Sequence, residues 1–220
     1  NQKCNGQDAV TLQTAFALSC NTAFVEMSEQ LGADELRKYA KAFGVGENYD
    51  LGVSTSAGTL GDLPDGAATA QSAIGQRDVT MTALQAAVMA GTVANKGTRM
   101  QPYLVNRITD AQMKDVRTTK PKKADQAVNE ETAATLTDLM YASERSSWGY
   151  DGNGFASKTG TAEHGEGLAP HVWYVAFDPE RDIAVGVVVK NGGNLGESAT
   201  GGKVSGPIGR AILRAYQGEQ

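Results

Sequence analysis

Cysteine and histidine are scarce, with two of each in 220 residues. That is too few for a zinc finger or ribbon, so neither a metal site nor a cofactor is expected. Basic charge is also in short supply. Twenty Lys and Arg stand against 25 Asp and Glu, a formal net charge of −5, which leaves little to neutralise phosphates and argues against nucleic acid as the main partner. Long apolar runs are missing as well. Ile183 to Val189 is the longest, Gly186 interrupts it, and it falls far short of the roughly 20 residues that span a bilayer. The opening Asn1-Gln2-Lys3-Cys4 has no Met and no signal or transit pattern, which predicts a piece excised from a longer chain, with any export signal or anchor upstream.

What is present reads as an ordinary globular chain, 40% apolar and 20% charged. A single domain of this size buries roughly 70% of the surface its unfolded chain exposes, so it needs no staple to hold a core. Apolar spacing predicts a helix over Asp8 to Leu18, a polar break at Ser19-Cys20-Asn21 and a second helix through Phe24, Met27 and Leu31. A third helix is expected over Asp34 to Phe43, stopped by Gly44. Residues 44–75 show no period and are expected to be irregular. Thr82 caps a helix that ends at Asn95-Lys96-Gly97, and Asn129 opens another with Glu130 and Glu131 in its first turn. Pro102 to Ile108 and Met113 to Thr118 read as a hairpin. Phe155 to Ala162, Val172 to Phe177 and Ile183 to Lys190 read as strands, the last two joined tightly and therefore antiparallel. A glycine-rich loop, Asn191 to Gly202, leads to a closing helix. Helices first and an antiparallel sheet after them make an α+β fold. The helical part is expected over about residues 1–100 and the sheet part over about 101–220.

Two short motifs carry chemistry. Lys158-Thr159-Gly160-Thr161 lies on a predicted strand beside a loop rich in Gly, His and Glu. Gly160 leaves the strand edge open to another backbone, Lys158 offers a fixed positive charge, and the Thr159 and Thr161 hydroxyls suit a carboxylate. Ser19-x-Asn21 interrupts two helices, where a hydroxyl and an amide would face a cleft, or would simply cap the following helix. By composition a Lys-Thr-Gly arises by chance in roughly one chain of this length in twenty, and Ser-x-Asn about once in two, so neither decides alone. Their order together is more informative.

A Ser-x-x-Lys nucleophile, a Ser-Asn element and a Lys-Thr-Gly strand, in that order, mark penicillin-binding proteins and serine β-lactamases. The chain resembles the class B penicillin-binding proteins in Ile74-Gly75-Gln76, Thr82-Ala83-Leu84-Gln85-Ala86, Ala94-Asn95-Lys96-Gly97 and Pro102. It also resembles them in the run from Lys158 to Glu163, in Trp173 to Phe177 and in Ile183 to Val189. Within that class the likeness is greatest to the actinobacterial penicillin-binding protein A type, and it runs from about Asp8 to the C-terminus. Ala83 stands where the class usually has Pro. None of the eleven serines has Lys three residues later, so the acylating motif is expected upstream and this chain alone is expected to be inactive.

The resemblance implies the penicillin-binding protein fold and a peptidoglycan D,D-transpeptidase. In it a serine acyl-enzyme joins two stem peptides, and β-lactam antibiotics acylate the same serine. Ser19 and Lys158 would be catalytic, Ser19 relaying protons and Lys158 holding positive potential. Asn21, Thr159, Gly160 and Thr161 would bind substrate, with the Thr161 N–H in an oxyanion hole worth about 3 kcal/mol per donor. It also implies an address on the outer face of the bacterial cytoplasmic membrane, attached only through an upstream anchor, and divisome or elongation proteins as partners. In an exported protein two cysteines often pair. A Cys4 to Cys20 disulfide is the expectation, with two buried thiols as the alternative, and such a loop adds roughly 3 kcal/mol in the chain-entropy model. A β-lactamase, a β-lactam sensor that acylates without turnover and a non-catalytic penicillin-binding-like module are the competing readings. His164 and His171 are expected at the cleft rim as ordinary polar residues, and Trp173 is given no role.

Overall fold

The computed structural model describes Cys4 and residues 6–218. Helix α1, Leu12–Ala17, starts where the Thr11 hydroxyl accepts the Thr14 N–H at 3.2 Å, four residues later than the apolar spacing suggests. It closes in a Schellman turn: the Cys20 N–H reaches the Ala15 carbonyl at 2.9 Å and the Ser19 N–H reaches that of Phe16 at 3.2 Å. Ser19 holds the left-handed position of this turn, with φ 54°, at a cost on the order of 1 kcal/mol that a glycine would not bear. Helix α2, Asn21–Leu31, follows at once, and Gly32 separates it from α3, Ala33–Ala42.

Residues 44–75 are not wholly irregular. They contain α4, Gly66–Ala73, capped by Asp65, whose carboxylate accepts the Ala68 N–H at 2.8 Å. The run Gly-Ala-Ala-Thr-Ala offers no bulky apolar stripe; instead small buried faces at Ala68, Thr69 and Ser72 permit close packing near α2 and α3. The loop before α4 is fastened by α5, Ala83–Ala94. Its capping box uses Thr82 and Gln85, and the buried Gln85 amide also donates to the carbonyls of Gly44 and Glu47 at 3.3 and 3.2 Å, and to that of Ala57. The two N–H groups of one side chain are thus shared among three loop carbonyls that have no regular ladder.

Four short strands follow. β1, Thr98–Met100, pairs antiparallel with β4, Lys123–Gln126, and between them β2, Arg107–Thr109, pairs with β3, Asp115–Thr118. The β2–β3 hairpin matches the sequence reading. The β1–β4 pair escaped it because three- and four-residue strands of charged residues show no period. Helix α6, Glu130–Ser146, then leads to a three-stranded antiparallel sheet in the order β5, Ala156–Ala162, β6, His171–Asp178, and β7, Ile183–Val189. Short 3₁₀ turns, broken by non-helical backbone at Asn191, Gly192, Gly193 and Gly196, lie within Lys190–Ser198 in the expected glycine-rich loop, and α7, Ser205–Gly218, follows.

Helices cover both faces of this sheet, so β6 and β7 are apolar on both sides rather than alternating. On one face Phe155, Tyr174, Val185 and Val187 meet Leu213 of α7; on the other Ala156 and Phe177 meet Ala90, Val93 and Met140 of α5 and α6. The approach of α5 to β7 depends on Gly186, where a Cβ would stand 2.7 Å from the Ala87 nitrogen. Gly186→Ala is therefore expected to cost about 1–3 kcal/mol, lowering the midpoint of thermal unfolding by circular dichroism by about 2–4 °C per kcal/mol.

Candidate active site

β5 pairs with β6 alone among the described strands, so its other edge is open to an extended ligand. Successive residues of β5 point to opposite faces, which splits the Lys-Thr-Gly-Thr run. Lys158 shares a face with its cross-strand neighbour Val175, while Thr159 and Thr161 share the other with Tyr174 and Val172. Their functional groups therefore approach the cleft from either side of one strand edge.

The Lys158 ammonium donates to the Ser19 hydroxyl, 139 residues away in sequence, and to the Thr159 carbonyl at 2.8 Å. It lies 5.8 Å from the centre of the Phe16 ring, within cation–π range. Burial pushes its pKa down to about 8, because a low-dielectric setting disfavours the ammonium. Ser19 is presented by the left-handed turn between α1 and α2, and strain kept at such a place is a mark of function. Cys20 is the N-cap of α2 and makes no side-chain capping bond, so neither Ser19 nor Asn21 serves as the cap that their types suggested. Asn21 opens α2 and is exposed.

On the far side of the edge the Thr161 hydroxyl accepts the Gly201 N–H at 3.4 Å. A Cβ on Gly201 would stand 2.7 Å from the Gly160 carbonyl oxygen, so only glycine lets the turn before α7 approach β5. The Gln76 amide donates to the Thr161 carbonyl at 3.5 Å. Gln76, Met81, Gly160, Thr161, His171 and Trp173 line a cavity of about 300 Å³. Trp173, which the sequence reading left without a role, faces Gly160 across the β5–β6 pair and walls this cavity; the missing Cβ at its partner was the available signal. His171 stacks on His164 with ring centres 4.1 Å apart, and its Nδ1 accepts the Asn191 N–H at 3.1 Å. Desolvation, then the neighbouring His164 and Lys190, hold its pKa below the usual value.

Beneath β5 lies a buried polar cluster. The Glu144 carboxylate of α6 accepts from Arg210 Nε of α7 at 2.6 Å, from the Tyr174 hydroxyl at 3.0 Å, from Asn153 at 2.9 Å and from the hydroxyl of Ser157, the residue before Lys158. Burial alone would raise the Glu144 carboxyl, but the hydrogen bonds from Arg210, Ser157 and Asn153 and the Arg210 charge outweigh it and hold its pKa below the usual range. Four elements meet on one carboxylate. Sequence reading missed it, since a Glu near the end of a helix ordinarily faces solvent.

The Cys4 and Cys20 sulfurs are bonded, with Cα atoms 5.4 Å apart, which ties the Ser19-to-Asn21 turn to the segment before α1. Among the described residues, no cluster of three or more His, Cys, Asp or Glu is arranged to hold a metal ion, and no helix is long and apolar enough to cross a membrane.

A hydroxyl held by an ammonium, beside an open strand edge with two threonines, suits transfer of an acyl group from a peptide that ends in a carboxylate. Residues 1–214 match the model of the penicillin-binding protein transpeptidase domain. The chain belongs to that family. This transpeptidase domain sequence is 45% identical over 221 residues to peptidoglycan D,D-transpeptidase PbpA of Mycolicibacterium smegmatis, covering 96% of the chain and 45% of that protein. It is 42% identical to PbpA of Mycobacterium tuberculosis, covering 98% and 46%. The solved structure of penicillin-binding protein A from M. tuberculosis as a ceftriaxone acyl-enzyme complex superposes with a TM-score of 0.91 at 41% identity, covering 96% of this chain and 49% of that one. The chain thus spans about half the length of the relatives it matches. The α+β transpeptidase fold expected from the sequence is the fold observed.

Proposed function

We propose that the protein is a peptidoglycan D,D-transpeptidase of the class B type and a target of β-lactams, and that this chain forms the C-terminal part of its single transpeptidase domain. The observation that carries the reading is the hydrogen bond from Lys158 to Ser19 at the open edge of β5. In this reading the nucleophilic serine lies outside the chain, in keeping with the absence of Ser-x-x-Lys among its eleven serines and with the share of the relatives that it spans. The nucleophile attacks the carbonyl between the terminal D-Ala residues of a stem peptide. Its proton passes by way of Ser19 to the leaving D-Ala amine, the peptide bond breaks and an ester remains. The amine of a second stem peptide then resolves the ester and closes the crosslink. Lys158 stabilises the carboxylate and the developing negative charge, Thr159 and Thr161 bind the carboxylate, Gly160 leaves room for the substrate backbone, and Asn21 binds the substrate amide. The Thr161 N–H contributes to the oxyanion hole. The reading places the protein on the outer face of the cytoplasmic membrane, held there by an upstream anchor, with divisome or elongation proteins as partners.

Labelling of the full-length protein with a fluorescent penicillin tests this. The full-length protein is expected to form a stable adduct that unlabelled penicillin prevents, and the 220-residue chain alone to form none. Rapid turnover of the adduct would identify a β-lactamase instead. A stable adduct without any crosslinking of stem peptides would identify a sensor.

Ser19→Ala removes the relay but not the nucleophile, so acylation is expected to slow by about 10²–10⁴-fold, the usual weight of a positioned proton-transfer group. The pH profile carries a second expectation. Lys158 is cationic below its pKa of about 8 and neutral above it, so the acylation rate should fall as pH rises through about 8. His171, whose pKa is lowered from 6.5, titrates on the acid side and leaves that limb untouched. A rate flat from neutrality to beyond pH 9 (about one unit above the Lys158 value) would show that the ammonium is not needed.

A further inference from the structure

Residues 101–123 form an arm that the transpeptidation chemistry does not use. It leaves the domain through β1 and returns through β4, held at its base by the Gln101 N–H on the Lys122 carbonyl at 2.8 Å and further out by Thr119 on Asn106 and Val105. A two-stranded ribbon of this kind is marginal in water without a cover, yet nearly every residue of it is exposed. Leu104, Met113 and Val116 are 64%, 70% and 67% exposed. Six cations stand on it, Arg107, Lys114, Arg117, Lys120, Lys122 and Lys123, against two acids, in a chain whose net charge is −5. Neither acid cancels the excess. Asp110 accepts the N–H groups of Gln112 and Lys114 in the turn, and Asp115 lies 3.6 Å from Arg107. Among the described residues Lys114, Arg117, Lys120 and Lys122 form no ion pair.

We propose that this arm enters the headgroup layer of an anionic lipid bilayer tip first, bringing the transpeptidase domain against a membrane surface. The charge on the arm calls for an anionic partner, and three features select a lipid surface among those. A soluble polyanion would pair with the cations and leave Leu104, Met113 and Val116 in water, whereas a bilayer receives both kinds of side chain at one depth. The pairing of Ile108 with Arg117 puts one apolar residue and one cation on one face of the ribbon, and the adjacent pair of Arg107 with Thr118 puts a second cation on the other; Val116 is the unpaired residue where the register shifts, and it stands exposed between them. A protein partner would cover one face, while a ribbon inserted by its tip is surrounded on both. At the tip Met113 holds φ 63°, a backbone region uncommon for a long side chain, and Asp110 stabilises that turn so that an apolar side chain points into solvent.

The test places an environment-sensitive fluorophore on Met113→Cys of the full-length protein, whose native Cys4 and Cys20 are already bonded to each other. Vesicles of phosphatidylcholine with and without phosphatidylglycerol are added, some carrying a nitroxide on the acyl chain. The fluorophore is expected to shift to the blue and to be quenched only with phosphatidylglycerol present. Lys114→Gln and Arg117→Gln should each weaken the partition about fivefold, the equivalent of roughly 1 kcal/mol per cation near an anionic surface. Leu104→Ser with Val116→Ser should abolish the quenching. Undiminished labelling of each variant by fluorescent penicillin reports an intact fold. A fluorophore that stays unquenched on anionic vesicles would overturn the proposal. So would one shifted as strongly by soluble polyphosphate as by vesicles, which would assign the arm to a polyanion.

Discussion

Replacing Lys158 with Ala is expected to lower the rate of penicillin acylation of the full-length protein by about 10²–10³-fold, the cost of losing one preorganised electrostatic contact to developing charge. The effect should fall on the chemistry and not on the fold. Burial lowers the Lys158 pKa to about 8, so holding the ammonium in place costs stability. By linkage, at pH values between about 8 and the 10.5 of an unburied lysine, the unfolded chain keeps a proton that the native state has released, so native stability rises with pH across that window. Below pH 8 the cost is present in full. Lys158→Met, which keeps the stem over Phe16 without the charge, should therefore unfold at a higher temperature than the wild type near neutrality while acylating as slowly as the Ala variant. Time courses of labelling and thermal unfolding monitored by circular dichroism check both halves. Wild-type labelling of the Ala variant would remove Lys158 from the reaction.

The second large effect is structural. Glu144→Gln leaves Arg210, whose side chain is 3% exposed, without its countercharge, and breaking a buried pair from one side typically costs about 3–5 kcal/mol. At 2–4 °C per kcal/mol in a domain of this size, the unfolding midpoint should fall by about 6–20 °C. Adding Arg210→Met should recover part of the loss, since a neutral pair avoids the desolvation that an unpaired guanidinium suffers. The Glu144 carboxyl lies below its usual pKa, so its contribution exists above the unfolded value and is lost as pH falls through the depressed one. The gap between wild type and Glu144→Gln should narrow in acid. Near neutrality, a single variant as stable as the wild type would show that this cluster is not what fastens β5 to α6, α7 and β6.

The two effects lie side by side on one strand. Ser157 is bound by Glu144 from the sheet's interior, and Lys158, the next residue, reaches Ser19 at the cleft. Alternation along β5 sends these neighbours to opposite faces, so the buried cluster anchors from within the strand whose edge carries Lys158. The same alternation explains why Thr161 contacts the turn before α7 and not the helices that hold Ser19.

Much was legible without coordinates wherever a local rule acts alone. Thr82 announced the N-cap of α5, Asn129 with two following glutamates announced α6, and apolar runs bounded by turn residues announced β5, β6 and β7. Ser19-x-Asn21 and the Lys-Thr-Gly-Thr run were visible as residue types in order. Helix α4 was not, because small residues bury by close approach and leave no period, and the β1–β4 pair was not, because its register depends on everything between the strands.

By itself, the order of residues determined the longer helices, the three strands of the main sheet, the family and the chemical groups available, since each depends on spacing within a few residues or on a motif. Only the folded chain decided which groups meet: Ser19 with Lys158 across 139 residues, Gln76 and Trp173 around the cavity beside Thr161, and Glu144 under Ser157. Those contacts are pairings between distant segments, chosen by packing, burial and strand register acting on the whole domain, and no local stretch of sequence contains them.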